Sequence, residues 1–237
     1  MRPGVLAATL SYAMACQSPA LLRTARTLPA GGSELALSLS FTHVSASAAG
    51  VPDVVESAAS STFNYPSPVP DVLYSHGIAD NLELGGRLSL GSGLLELNSK
   101  LRYLEAAEGK LHAALAPALG YRALGIVNGP VATLPALFTY DLSPEVSLTG
   151  GGLASFASYR LASGLGGDDP DVSGDTWYAG GGLGVQLRSG RFHVLPAVEV
   201  QRSVSRTGVA ADLPEIGLFF LSLTIGIGPA PSASGGG

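Results

Sequence analysis

The chain has 237 residues, 46% of them hydrophobic and only 13% charged, with 32 glycines and a formal net charge of −5. No apolar run approaches the roughly 18 residues of a membrane helix, and no basic patch interleaves with aromatics, so spanning helices and nucleic-acid partners are excluded. Nothing in the middle reads as a linker, which leaves one β domain.

The N-terminus reads as an export signal. Arg2 is a minimal charged start, Val5 to Ala15 a short apolar core, and Ala13-Met14-Ala15 an A-x-A cleavage signature, so residues 1–15 are expected as a signal peptide. Cys16 follows at once and is the single cysteine, which rules out an intramolecular disulfide. The junction resembles a bacterial lipoprotein box, which implies lipidation of Cys16, with Ala13 where that motif usually has Leu. Ordinary cleavage is the alternative.

From Glu34 onward a period of two dominates. Leu35, Leu37, Leu39 and Phe41 alternate with small polar residues, and after a poorer strand at Pro70 to Gly77 come Leu82, Leu84, Leu88 and Leu90. Further rows run through Leu95 to Tyr103, Leu111 to Tyr121, Ala132 to Tyr140 and Val146 to Phe156. The last run through Trp177 to Leu187, Phe192 to Val200, and Phe219 to Ile227. That makes about ten strands, with about 8 to 12 allowed, each near the roughly 9 to 11 residues that cross a bilayer when tilted.

The links alternate in length. Ile78 to Asn81, Glu105 to Lys110, Asp141 to Glu145 and Ser189-Gly190 are short, whereas Ser45 to Val69, Tyr159 to Asp175 and Ser203 to Pro214 are long and polar. Long loops at one end and tight turns at the other are the habit of outer-membrane barrels. A turn at Gly91 to Leu94 pairs Leu90 with Leu95, Glu83 with Arg102 and Arg87 with Asn98; a two-residue turn at Ser189-Gly190 pairs Gln186 with His193.

Opposite the apolar rows stand Glu83, Arg87, Glu96, Asn98, Lys100, Arg102, His112, Arg122, Gln186, Arg188, His193, Glu199 and Gln201. They are too charged for a core, so they are expected to line or plug a lumen while the apolar rows face lipid. Tyr103, Tyr121, Tyr140 and Trp177 fall at strand ends, where an aromatic girdle belongs. A soluble sandwich or lipocalin-like barrel would turn the leucines inward instead.

Over roughly Ser33 to Ile227 the chain resembles the small bacterial outer-membrane β-barrel proteins, on TARTLPAGGSELALSLS and YSHGIADNLELGGRLSL. The resemblance implies a closed antiparallel up-and-down transmembrane barrel over 33–228, after a periplasmic segment over 16–32 and before a flexible tail over 229–237. It implies location in the bacterial outer membrane, with membrane lipids and the barrel assembly machinery as partners, and a monomer. The tail PAPSASGGG departs from the aromatic ending usual in that group.

Chemistry is sparse. Some barrels of this size are proteases or lipid-acting enzymes with His and Ser or an acid near the outer rim, and only His43, with Ser45 and Ser47 on the following loop, falls at that end. Asp169, Asp171, Ser173, Gly174 and Asp175 partly imitate a calcium loop, but Gly180 occupies the place of its bidentate Glu. Neither metal nor cofactor is expected. The reading is a structural, adhesion-type or narrow, porin-like barrel without catalysis; the alternatives are a lipid- or peptide-acting barrel enzyme and a soluble, lipid-anchored binding protein.

Overall fold

A computed structural model of the chain describes residues 22–47, 62–66, 70–124, 127–161, 173–208, 211 and 215–229. The expected leader, Cys16, the aspartates at 169 and 171, and residues 230–237 lie outside them. Every element among the described residues is a strand. In order they are β1 (Ser33–Ser47), β2 (Thr62–Pro66), β3 (Asp71–Ala79), β4 (Leu82–Ser89), β5 (Leu94–Ala106) and β6 (Leu111–Leu115). There follow β7 (Ala118–Leu124), β8 (Val127–Asp141), β9 (Val146–Leu161), β10 (Ser173–Ser189), β11 (Phe192–Gly208) and β12 (Glu215–Ile227).

Twelve segments make ten staves. Both β2 and β3 lie against β1, and both β6 and β7 lie between β5 and β8. The second break falls at Ala116-Pro117, where proline has no N–H to give a ladder; the Ala116 N–H and the Pro117 carbonyl still bond Pro135 and Ser99 (3.0 Å each). All neighbours are antiparallel, and β12 returns to β1 along the register Leu35↔Ile227 to Ser47↔Glu215. The fold is therefore a closed ten-strand up-and-down barrel, and closure removes the open edges that would pair with other chains.

Its polarity is inverted relative to a soluble protein. Leu97 is 70% and Leu183 69% exposed on the outside, while Glu83 on the inside is 1% exposed. The alternation dictates this: once one residue of a strand faces out, every second one follows. Lateral rows such as Phe138, Gly150, Leu183, Val198, Leu221 and Phe41 run from strand to strand. Such a continuous apolar belt far exceeds the few hundred Å² of patch a soluble monomer shows. Tyr103, Tyr121, Tyr140 and Trp177 also point outward; Trp177 packs on Phe156 at 5.0 Å between ring centroids.

Two registers differ from expectation. Leu88, not Leu90, meets Leu95, so Glu83 faces Lys100 and Arg87 faces Glu96. Ser189 meets Phe192, so Arg188 rather than Gln186 faces His193. The turns are Leu90–Gly93 and Gly190-Arg191, because Gly93 and Gly190 take the left-handed positions (φ 61° and 59°). Both slips amount to two residues in the pairing, which leaves each side chain on its expected face. The strands are also longer than a bilayer crossing needs, with 17 residues in both β10 and β11, and the additions lie at the long-loop end. Ser45 and Ser47, expected in a loop, belong to β1.

Candidate functional site: the occupied lumen

Residues 22–32, from the segment expected ahead of the barrel as periplasmic, lie instead inside the barrel toward its short-turn end. Leu22, Ala25 and Leu28 are buried there, with Leu22 and Ala25 against Ala114, Ala116, Leu137 and Ala197 of the wall. The chain descends from Leu22, the deepest of these residues, to a tight Pro29–Gly32 turn at the rim. There Gly31 N–H donates to Gly77 O and Gly77 N–H to Gly32 O, each at 2.8 Å.

Position 77 must be glycine for this approach, since a Cβ there would lie 2.2 Å from Pro29 O. Gly77→Ala is expected to push the segment off the rim, cost about 1–3 kcal/mol as an overpacked site does, and expose the bonds after Arg23 and Arg26 to trypsin. Mass spectrometry of a limited digest in detergent checks it; cleavage no faster than in wild type would contradict it.

The wall meets the segment with charge. Arg23 Nη2 lies 2.5 Å from Glu83 Oε1, Nη1 donates to Asn98 Oδ1 at 3.1 Å, and Nη2 also donates to Ser75 Oγ. Glu83 in turn accepts from Lys100 Nζ at 2.9 Å and from the Leu28 N–H at 3.3 Å, and Lys100 reaches the Thr24 carbonyl. Arg26 makes the second attachment, to Asp141 (3.1 Å), Ser147 (2.5 Å) and Gln186 (3.1 Å). Backbone bonds complete it: Leu22 N–H to Glu199 Oε1 at 3.3 Å, Ala25 N–H to Thr139 Oγ1 at 2.8 Å, and Thr149 Oγ1 to Arg23 O at 3.1 Å.

The other expected lumen residues take distinct places. Arg87, buried, sits 3.2 Å from Asp71 and 3.9 Å from Glu96 within the β3–β4–β5 wall. Arg102, expected beside Glu83, stands at the short-turn rim with Glu105 (2.7 Å) and the Asp80 carbonyl (3.1 Å). His193 lies 3.9 Å from Glu34, half-buried Arg188 is its register partner, and Arg122 is buried on β7. Glu199 and Gln201 lie flat on β10, over Gly182 and Gly180, where a Cβ would meet their Cγ atoms at 2.5 and 2.8 Å.

His112, Asp141 and Ser147 share one corner, yet they do not form a relay. His112 Nε2 is 3.4 Å from Asp141, whereas Ser147, fully buried, gives its oxygen to Arg26. His43 sits inside β1 opposite Phe219 and Asn64. No group of three metal-ligating side chains gathers among the described residues, and Asp175 accepts from Thr207 at 3.3 Å.

Sequence reasoning missed the plug itself, with Arg23 and Arg26, and an apolar inner layer. Tyr178, Phe220 and Leu218 are buried inside the barrel on β10 and β12. Their only signal is that they stand at the inward parity of their strands. Arg23 and Arg26 had a signal too: they are the only charged residues between Arg2 and Glu34.

Fold and site thus define a closed antiparallel barrel with an apolar outside and a lumen occupied by its own N-terminal segment. No protein-family model matches the chain, and no curated protein matches it. Among solved structures it is similar to Ail, the attachment invasion locus protein of Yersinia pestis, at 10% identity over 84% of this chain and 99% of that one, TM-score 0.36. It is also similar to Neisserial surface protein A, at 11% identity over 83% and 98%, TM-score 0.44. A third is outer membrane protease OmpT from Escherichia coli, at 8% identity over 88% and 100%, TM-score 0.42.

Proposed function

We propose that the chain is a bacterial outer-membrane barrel of structural or adhesion type, which shows its long loops outside the cell and is closed at rest by its own N-terminal segment. The observation that carries this is residues 22–32 seated inside a barrel whose outer surface is apolar. A narrow barrel is filled by side chains alone, and here a stretch of backbone lies in the lumen as well. The short-turn end is the periplasmic one by the loop habit of such barrels. Closure of β12 on β1 favours a monomer. Outer-membrane lipids and the assembly machinery are the partners that this reading proposes.

Refolded in detergent, the protein is expected to run as a compact band that shifts on boiling. Its single tryptophan, Trp177, is expected to emit at shorter wavelength in lipid vesicles than in denaturant, and planar bilayers are expected to stay silent. A steady wild-type current would replace the closed barrel by a narrow channel. Folding in plain buffer without detergent would remove the membrane altogether.

A further inference from the structure

Arg23 and Arg26 sit in two sockets of the same make. The first offers the Glu83 carboxylate, the Ser75 hydroxyl and the Asn98 amide oxygen, from β4, β3 and β5. The second offers the Asp141 carboxylate, the Ser147 hydroxyl and the Gln186 amide oxygen, from β8, β9 and β10. An acid, a hydroxyl and an amide oxygen converging on one group match the planar fork of donors that a guanidinium carries, and an ammonium fits such a set less well. The six wall residues come from six strands, so the barrel holds the sockets in place whether or not arginines fill them.

The wall is also prepared for the arginines to leave. Glu83 keeps Lys100 at 2.9 Å, and Asp141 keeps His112 at 3.4 Å. Withdrawal of the segment therefore strands neither acid without a neighbouring base, which is the costly outcome for a buried ion. The remaining contacts are undemanding. The N–H groups of Leu22, Ala25 and Leu28 meet Glu199, Thr139 and Glu83, and any non-proline main chain could supply them. What the wall selects is a pair of guanidinium groups three residues apart on one strand of chain.

We propose that the short-turn half of the lumen is a binding site for a peptide of the form Arg-x-x-Arg, which the chain's own Arg23 and Arg26 occupy in cis and for which a basic segment of another chain competes. The proposal rests on the plug described above. It is independent of whether the wild-type barrel conducts, because its test is binding in detergent.

The experiment uses the full chain carrying Arg23→Ala and Arg26→Ala, refolded in detergent and checked by heat-modifiable migration, with the synthetic peptide LRTARTLPAGG as titrant in a calorimeter. Saturable binding is expected, weakened about tenfold or more when both peptide arginines are glutamine, the loss of charged hydrogen bonds being worth that much. Wild type should take up the peptide far more weakly, since its sockets are filled. Adding Asn98→Ala and Gln186→Ala to the double variant should weaken binding without removing either carboxylate. Should the double variant fail to refold, Arg23→Gln with Arg26→Gln keeps an N–H donor for the wall while removing both charges, and the same titration applies. A folded variant that ignores the peptide, or that binds the glutamine form equally well, would overturn the proposal.

Discussion

Glu83→Ala is expected to cost the barrel about 3–5 kcal/mol, the range for breaking a buried ion pair by removing one partner. The side chain is 1% exposed and serves two cations at once, Arg23 at 2.5 Å and Lys100 at 2.9 Å, as well as the Leu28 N–H. Lys100 is the residue that makes the loss large. It is itself buried on β5, and without Glu83 it is left with the Thr24 carbonyl at 3.3 Å, a neutral acceptor. A buried ammonium left without its carboxylate is costly, and that cost opposes folding. Arg23 suffers less, since it keeps Asn98 and Ser75 and can swing out with the plug. Two readouts should therefore move together: the urea midpoint of unfolding in vesicles, and trypsin cleavage after Arg23. Glu83→Gln keeps the shape and an acceptor, so its penalty should be smaller. A change within about 1 kcal/mol for Glu83→Ala, the value of an exposed pair, would mean that water already screens this network and that charge does not hold the segment.

Why Glu83 could be placed on the inside from sequence, yet not given its partners, follows from what each step depends on. A strand has only two faces, so the alternation of Leu82, Leu84 and Leu88 with Glu83 and Arg87 fixes the face whatever the pairing. Pairing depends on where the turn closes. Moving the turn from Gly91–Leu94 to Leu90–Gly93 exchanges Arg102 for Lys100 opposite Glu83 without moving any leucine to the wrong side. The same tolerance applies at Gly190-Arg191.

The plug lay beyond such reasoning for a different cause. Residues 22–32 have no period, and their contacts with the wall reach 45 to 177 positions along the chain, from Gly32 to Gly77 and from Leu22 to Glu199. Only closure of the barrel brings Asp141, Gln186 and Glu83 around one short segment.

The outer face supplies the second large effect. Leu183→Arg is expected to destabilise the folded barrel by about 2–4 kcal/mol, and Leu187→Arg on the same strand by about 0–1 kcal/mol, the depth dependence of arginine on a lipid-facing wall. Both leucines are exposed on the outside of β10, so in water they would be equivalent. They differ in height. With about 3.3 Å per residue along a strand tilted about 40°, each residue climbs roughly 2.5 Å. On that scale Leu187 lies a short step above the Gly190-Arg191 turn, where a guanidinium can reach the headgroups, and Leu183 lies well toward the middle of an apolar band about 25 Å tall. Its neighbours across the strands, Gly150 and Val198, offer no counter-charge. Urea titrations of both variants in lipid vesicles, followed by Trp177 emission, measure the difference directly. If the leucines faced water, both substitutions would fall within about 0.5 kcal/mol of wild type, as surface changes do, and the apolar belt would need another covering. A large gap between two outward-facing leucines of one strand, both well exposed, points to a medium that changes with depth, which a bilayer does and water does not.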